Sequence, residues 1–331
     1  MTTLSSLVRS SSARVAMPVA TFPGATLFGT SVRALVTDAR VQAETQIALH
    51  GRFRTAVLLT CMDLSVEAEA FGASVVFADA EVPTVTGRLV TDEAGVAALR
   101  IPAVGAGRSG VYLEAARLLS RAGTGAPLLA GMIGPFSLAG RLFGVGEALQ
   151  ATAEQPELVG MLLDKTTEFL TAYCQAFKAA GAQGAIIAEP SAGLLSPRGL
   201  AAFSSPYIRK IIQAVDSEGF EVVLHNCAAK ALHLDAVASS GAHVLHFGAP
   251  MDIPQALAKL PPTTIVCGNI DPASVFVHGT PDTVAAKTRE LLTATAGHRN
   301  FVISSGCDVP AATPIENLEA FFREASASAV D

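Results

Sequence analysis

The sequence has no tryptophan and three tyrosines, and charged residues fill only 16% of its 331 positions. Its hydrophobic half is mostly Ala, Val and Leu, enough to bury a large core. Net charge is −6 and there is no basic stripe, so neither nucleic acid nor an anionic lipid surface is an expected partner. No apolar run free of charges and turn signals reaches the length of a membrane helix. Five cysteines in so long a chain make no disulfide framework. Their odd number points to a reducing compartment, the cytoplasm, with some thiols kept as ligands. No short internal repeat marks a solenoid, and no low-complexity linker divides the chain.

What is present is alternation. Short runs rich in Val, Ile and Leu read as strands at 14–20, 55–61, 127–133, 184–189, 221–225, 243–248, 263–268 and 301–305. They do not alternate strictly with polar residues, as expected for parallel strands covered on both faces. Amphipathic stretches lie between them. The clearest is 158–181, with apolar residues at three- and four-residue spacing and Gly181 at its end. Eight βα units without a break in composition predict one (β/α)8 barrel over 1–331, in preference to a doubly wound sheet. Segment 73–104 departs from the pattern and reads as a β-rich insertion near the barrel mouth. The opening MTTLSSLVRSSSAR is Ser-rich, with two Arg and no acid before Asp38, which is the composition of an organellar transit peptide. The strand reading that follows at once leaves little to remove, and it is preferred.

Three soft metal ligands stand out. His225 and Cys227 close the run VVLHNC, and Cys307 closes FVISSGC. Spacing of two puts His225 and Cys227 on one side of an extended chain. All three fall at or just past strand C-terminal ends, the face where barrels of this kind carry their active sites. Two thiolates and an imidazole suit Zn²⁺, and three protein ligands leave a fourth position open, as in catalytic zinc sites. His-x-Cys alone is also what a buried histidine and a core cysteine would give. The turn Gly306-Cys307-Asp308-Val309-Pro310 is a poor place for a core cysteine, which favours the metal. Cys174 reads as core. Cys61 and Cys267 end strands and are lesser candidates for ligation. His243 and His246 border a strand, while His233, His278 and His298 read as surface; none has an evident partner.

Several segments resemble the uroporphyrinogen decarboxylase superfamily over nearly the whole chain. They are GMIGPFSLAG (131–140), IIAEPSAGLLSP (186–197) with PYIRKI (206–211), and CGNIDP (267–272). Two more, MDLSVEAEAFGASVVFADAEVPTV (62–85) and SSGCDVPAATPIENLEAF (304–321), resemble its zinc-dependent methylcobamide:coenzyme M methyltransferases. The resemblance implies zinc on His225, Cys227 and Cys307, the residues already singled out. It implies methyl transfer from a methylated corrinoid to a thiol. The chain has no Asp-x-His-x-x-Gly cobalamin motif, so the corrinoid is expected on a partner protein docked at the C-terminal face. Zinc would lower the acceptor thiol's pKa and hold it as thiolate.

The decarboxylase branch fits less well, because its N-terminal Arg pair is replaced by a lone Arg33 within 20–34. Asp63 stands where that branch has a pyrrole-binding aspartate. Glu189 stands where the superfamily commonly has Asp, and either approaches the zinc or acceptor or caps the next helix; capping is preferred. Asp63 and Glu189 are thus the two catalytic carboxylate candidates. Coenzyme M carries a sulfonate, and no Arg or Lys stands evidently at the strand ends to meet it. Another thiol, or tetrahydrofolate through a modified site, stays open as acceptor. Alternative readings are a metal-free decarboxylase, a non-catalytic docking module for the corrinoid protein with a closed zinc site completed by Cys267, and a zinc transferase acting without corrinoid.

Overall fold

The computed structural model describes residues 2–327. Its strands are β1 (Leu58–Leu59), β2 (Ser74–Val76), β3 (Thr84–Thr86), β4 (Leu128–Ile133), β5 (Gly184–Ala188), β6 (Glu221–Asn226), β7 (Val244–Phe247), β8 (Ile265–Ile270) and β9 (Phe301–Ser305). Seven of them form one parallel sheet in the order β1-β4-β5-β6-β7-β8-β9. The eighth member is extended chain around Ala16, bridged in parallel to Ile303 of β9. Met17 N–H donates to Ile303 O at 2.9 Å, and Ile303 N–H to Val15 O at 3.1 Å. The fold is a (β/α)8 barrel, as the alternation predicts.

Two predicted strands are much shorter than read, for identifiable reasons. Pro18 has no N–H, so the ladder at 14–20 stops at a single bridge. Just past β1 the Thr60 hydroxyl accepts the Gly131 N–H at 2.8 Å, and a side chain takes over where backbone pairing would continue. The segment 73–104 is the expected excursion. It carries the antiparallel pair β2–β3, with Val75 opposite Val85, and the helix Glu93–Ala98. Leu89 and Val90 tie it to the main body through the Leu142 carbonyl. The helix predicted at 158–181 spans Pro156–Ala179.

Strands β4 to β9 are buried on both faces apart from half-buried Asn269. Alternate residues divide between two cores. Val222 and Leu224 of β6 pack outward against helices, while Val223 points inward with Val244, Ile265 and Val302. Leu4 and Val8 belong to the same inner cluster. The helix Leu4–Ser10 therefore plugs the barrel, and Glu221, the first residue of β6, accepts the Ser5 N–H at 3.1 Å. Thr3 and Ser6, in the Ser-rich opening, form the capping box of this plug. Among the described residues no helix is long and apolar enough to cross a membrane.

Candidate metal centre

Strand register decides which side chains rise above the inner apolar layer. Ala188, His225, His246 and Cys267 pair in sequence across β5, β6, β7 and β8. They stand two residues beyond Ile186, Val223, Val244 and Ile265, so they point the same way, into the barrel. Cys227 follows His225 by two, one residue past β6, and Cys307 arrives from the turn two residues past β9. Gly248 makes room: a Cβ there would overlap the Cys227 backbone. The ligand atoms of His225, Cys227 and Cys307 all lie within 4.8 Å of one another. Side chains 80 positions apart in sequence thus meet at the C-terminal mouth.

The electrostatics of the trio fit a cation of soft affinity. His225 is buried, and its Nδ1 lies 2.7 Å from His246 Nδ1. Its Nε2 is buried with no hydrogen-bond partner. An orphaned ring nitrogen beside two thiols is costly unless something fills it. Each thiol perturbs the other: Cys307 lowers the Cys227 pKa, while Cys227 and burial push that of Cys307 up to about 12. A metal bound here would have to expel thiol protons, so affinity should rise with pH.

The other cysteines lie outside this group. Cys61, Cys174 and Cys267 are fully buried, and burial raises all three thiol pKa values, that of Cys174 to about 12. Cys267 is the inward neighbour of His246, and among the described residues it does not join the three-ligand cluster. His233, read as surface, is buried and bonded to Lys230 N and Leu195 O.

The two carboxylate candidates are built into the walls. Asp63 is buried, ion-paired to Arg108, and accepts from the N–H (2.9 Å) and hydroxyl (2.6 Å) of Ser65. Arg108 also reaches Glu69 at 2.6 Å and lies over the Phe77 ring. Glu189 does cap a helix, but the one before it rather than the one after. Its carboxylate accepts from Phe136 N (3.0 Å), Ser137 N (2.9 Å) and the Ser137 hydroxyl (2.7 Å), closing the N-terminus of the helix Pro135–Phe143. Gly134 is required there, since a Cβ would overlap that carboxylate. Burial still raises the Glu189 pKa to about 7. Arg33 is exposed and paired with Asp79 at 2.8 Å, away from the centre.

Three residues escaped the sequence reading. Arg108 sits in a glycine-rich loop with nothing to mark its partner. His246 was visible as a strand-end histidine, and its position next to His225 in the register was the usable signal. Glu67 is fully buried, with Oε1 accepting Ile133 N–H at 3.0 Å and Oε2 unpartnered. Burial raises its pKa to about 8, with the charge of Asp63 adding and Arg108 opposing.

A raised carboxyl pKa stabilises the fold fully below the unfolded value, near 4.5, and that stability is lost as pH rises through the folded value. Glu67 should therefore destabilise the protein progressively between about pH 5 and pH 8. Glu67→Gln keeps an acceptor for Ile133 and cannot ionise. Denaturant melts should show the variant close to wild type at pH 5 and more stable by a few kcal/mol (order of magnitude) at pH 9. Glu189 leaves part of the pH dependence in the variant.

A (β/α)8 barrel with a His/Cys/Cys cluster at its mouth defines the class; comparison with known proteins supplies the family. The uroporphyrinogen decarboxylase family model matches residues 12–327. The methylcobamide:CoM methyltransferase MtbA of Methanosarcina acetivorans is 31% identical over 264 residues, 78% of this chain and 75% of the relative. A uroporphyrinogen decarboxylase of Parasynechococcus marenigrum is 31% identical over 171 residues, 51% of this chain and 47% of the relative. A solved methyltransferase from Methanosarcina mazei shares the fold, with TM-score 0.86, 24% identity and coverage of 97% of this chain and 96% of that one. The chain belongs to the uroporphyrinogen decarboxylase family, and within it the chain is a methyltransferase.

Proposed function

We propose that this methyltransferase is zinc-dependent and moves a methyl group from a methylated corrinoid, carried by a separate protein, to a thiol such as coenzyme M. The observation that carries the reading is the three-ligand cluster at the barrel mouth, with His225 Nε2 lacking a hydrogen-bond partner beside Cys227 and Cys307. Similarity to methylcobamide:CoM methyltransferases over three quarters of the chain supports it. His225, Cys227 and Cys307 would hold the metal and leave a fourth position for the acceptor. Zn²⁺ bound there would supply the Lewis acidity that keeps a thiol, normally of pKa about 8.5, ionised near neutral pH.

The chain's own work is binding and exclusion. Deprotonated Cys227 and Cys307 bring two negative charges, which leave the sulfur of the acceptor electron-rich. The donor corrinoid would supply the methyl group to that sulfur and would keep the electron pair of the bond it gives up. Asp63 with Arg108, and Glu189 with the helix Pro135–Phe143, hold the mouth in shape rather than touch the reacting atoms. Leu194 and Leu232, each 59% exposed on turns after β5 and β6, stand at the same face and suit an approaching protein.

The test is anaerobic incubation of the purified protein with methylcobalamin and either coenzyme M or uncharged 2-mercaptoethanol. Methylated thiol should appear in step with cob(I)alamin, read by mass spectrometry and absorbance. Failure with every thiol at full zinc loading, or decarboxylation of uroporphyrinogen, would overturn the proposal.

A further inference from the structure

The buried side chains behind the candidate metal centre form a chain of hydrogen bonds whose direction is fixed at its far end. Ser304 Oγ lies 2.6 Å from the Met17 carbonyl and 2.8 Å from His246 Nε2. A carbonyl can only accept, and a hydroxyl has one proton to give, so Ser304 donates to Met17. His246 must then donate from Nε2 to Ser304, which leaves its Nδ1 with a lone pair. That lone pair faces His225 Nδ1 at 2.7 Å, so His225 carries its proton on Nδ1. The other ring nitrogen, Nε2, is left as the bare lone pair that has no hydrogen-bond partner. Both rings are buried, and neither has a carboxylate among its hydrogen-bond partners. The neutral Cys267 thiol, also packed against Ser304, adds no charge.

We propose that His246 and Ser304 are positioning residues that fix the His225 tautomer, so that its Nε2 lone pair is presented to the metal position beside Cys227 and Cys307. The inference rests on the metal reading above. Its origin lies in the strand that Pro18 cuts short: the 14–20 segment places the Met17 carbonyl against β9 and so sets the polarity of the whole relay. A partner behind a ligating histidine fixes ring and tautomer, and its loss typically costs 10–100-fold in metal affinity.

The experiment uses the full chain in wild-type form and as His246→Phe, His246→Gln and Ser304→Ala. Zinc affinity is read by chelator competition, and the His225 tautomer by long-range ¹H–¹⁵N spectroscopy of the metal-free protein. His246→Phe should weaken zinc about 10–100-fold. His246→Gln should restore most of the affinity, because its amide can accept from His225 and donate to Ser304. Wild-type His225 should be protonated on Nδ1, and Ser304→Ala should show a mixture of tautomers. Equal zinc affinity in wild type and His246→Phe, or a wild-type His225 protonated on Nε2, would overturn the proposal. If wild type binds no zinc, the metal reading fails by itself, while the tautomer measurement, which needs no metal, still decides this one. If His246→Phe does not fold, Ser304→Ala and the wild-type spectrum decide it in the same way.

Discussion

Cys307→Ser is expected to remove most bound zinc and, with it, thiol methylation. Apparent binding energies of about 10–16 kcal/mol for four-ligand zinc sites amount to about 3 kcal/mol for each ligand, or two to three decades in affinity. A hydroxyl at 307 keeps the size of the side chain but supplies no thiolate at neutral pH. Zinc per chain and initial rate, measured on the same samples, should fall together by about two decades or more at submicromolar free zinc. Thermal stability of the metal-free forms should match, since Cys307 is only half-buried in a turn and packs no core. A variant that loses zinc but methylates thiols at the wild-type rate would separate the metal from the chemistry and contradict the proposal.

The second large effect concerns stability. Arg108→Met should destabilise the fold by about 3–5 kcal/mol, the usual consequence of stripping one partner from a buried ion pair. The Asp63 side chain is wholly buried, and Arg108 also bonds Glu69 and the Ser65 hydroxyl. Removing the guanidinium leaves a buried carboxylate whose charge is met only by the N–H and hydroxyl of Ser65, whereas exchanging the pair together for neutral groups costs much less. Arg108→Met combined with Asp63→Asn should therefore be more stable than Arg108→Met alone. Chemical denaturation of wild type, Arg108→Met, Asp63→Asn and the double variant checks this, and purely additive losses would show that the pair is not coupled. Because this network lines the mouth but touches no metal ligand, zinc stoichiometry should survive in every variant that folds.

How far the chain could be read before folding differs from residue to residue. The eight strands were legible because parallel strands in a barrel are apolar on both faces, and β4 to β9 are so buried. The trio was legible because a period of two puts His225 and Cys227 on one side, and a Gly-Cys-Asp turn does not suit a core thiol. What local pattern cannot encode is partnership across the barrel. Asp63 and Arg108 are 45 positions apart and meet only through the fold. Glu189 was rightly read as a cap, yet the helix it closes lies before it in sequence and beside it in space. The helix Leu4–Ser10 was not legible, because seven residues rich in Ser are too few to show a helical period. His246 was dismissed for want of a partner, when the neighbouring strand held one at the same level.

The most direct measurement is zinc K-edge X-ray absorption of the purified protein, with and without an acceptor thiol. The expected spectrum without thiol has two sulfur neighbours and one imidazole nitrogen, with a fourth light-atom neighbour that gives way to a third sulfur when thiol is added. A zinc shell already closed by four protein ligands and indifferent to thiol, or a carefully prepared protein with no zinc, would contradict the open catalytic centre on His225, Cys227 and Cys307.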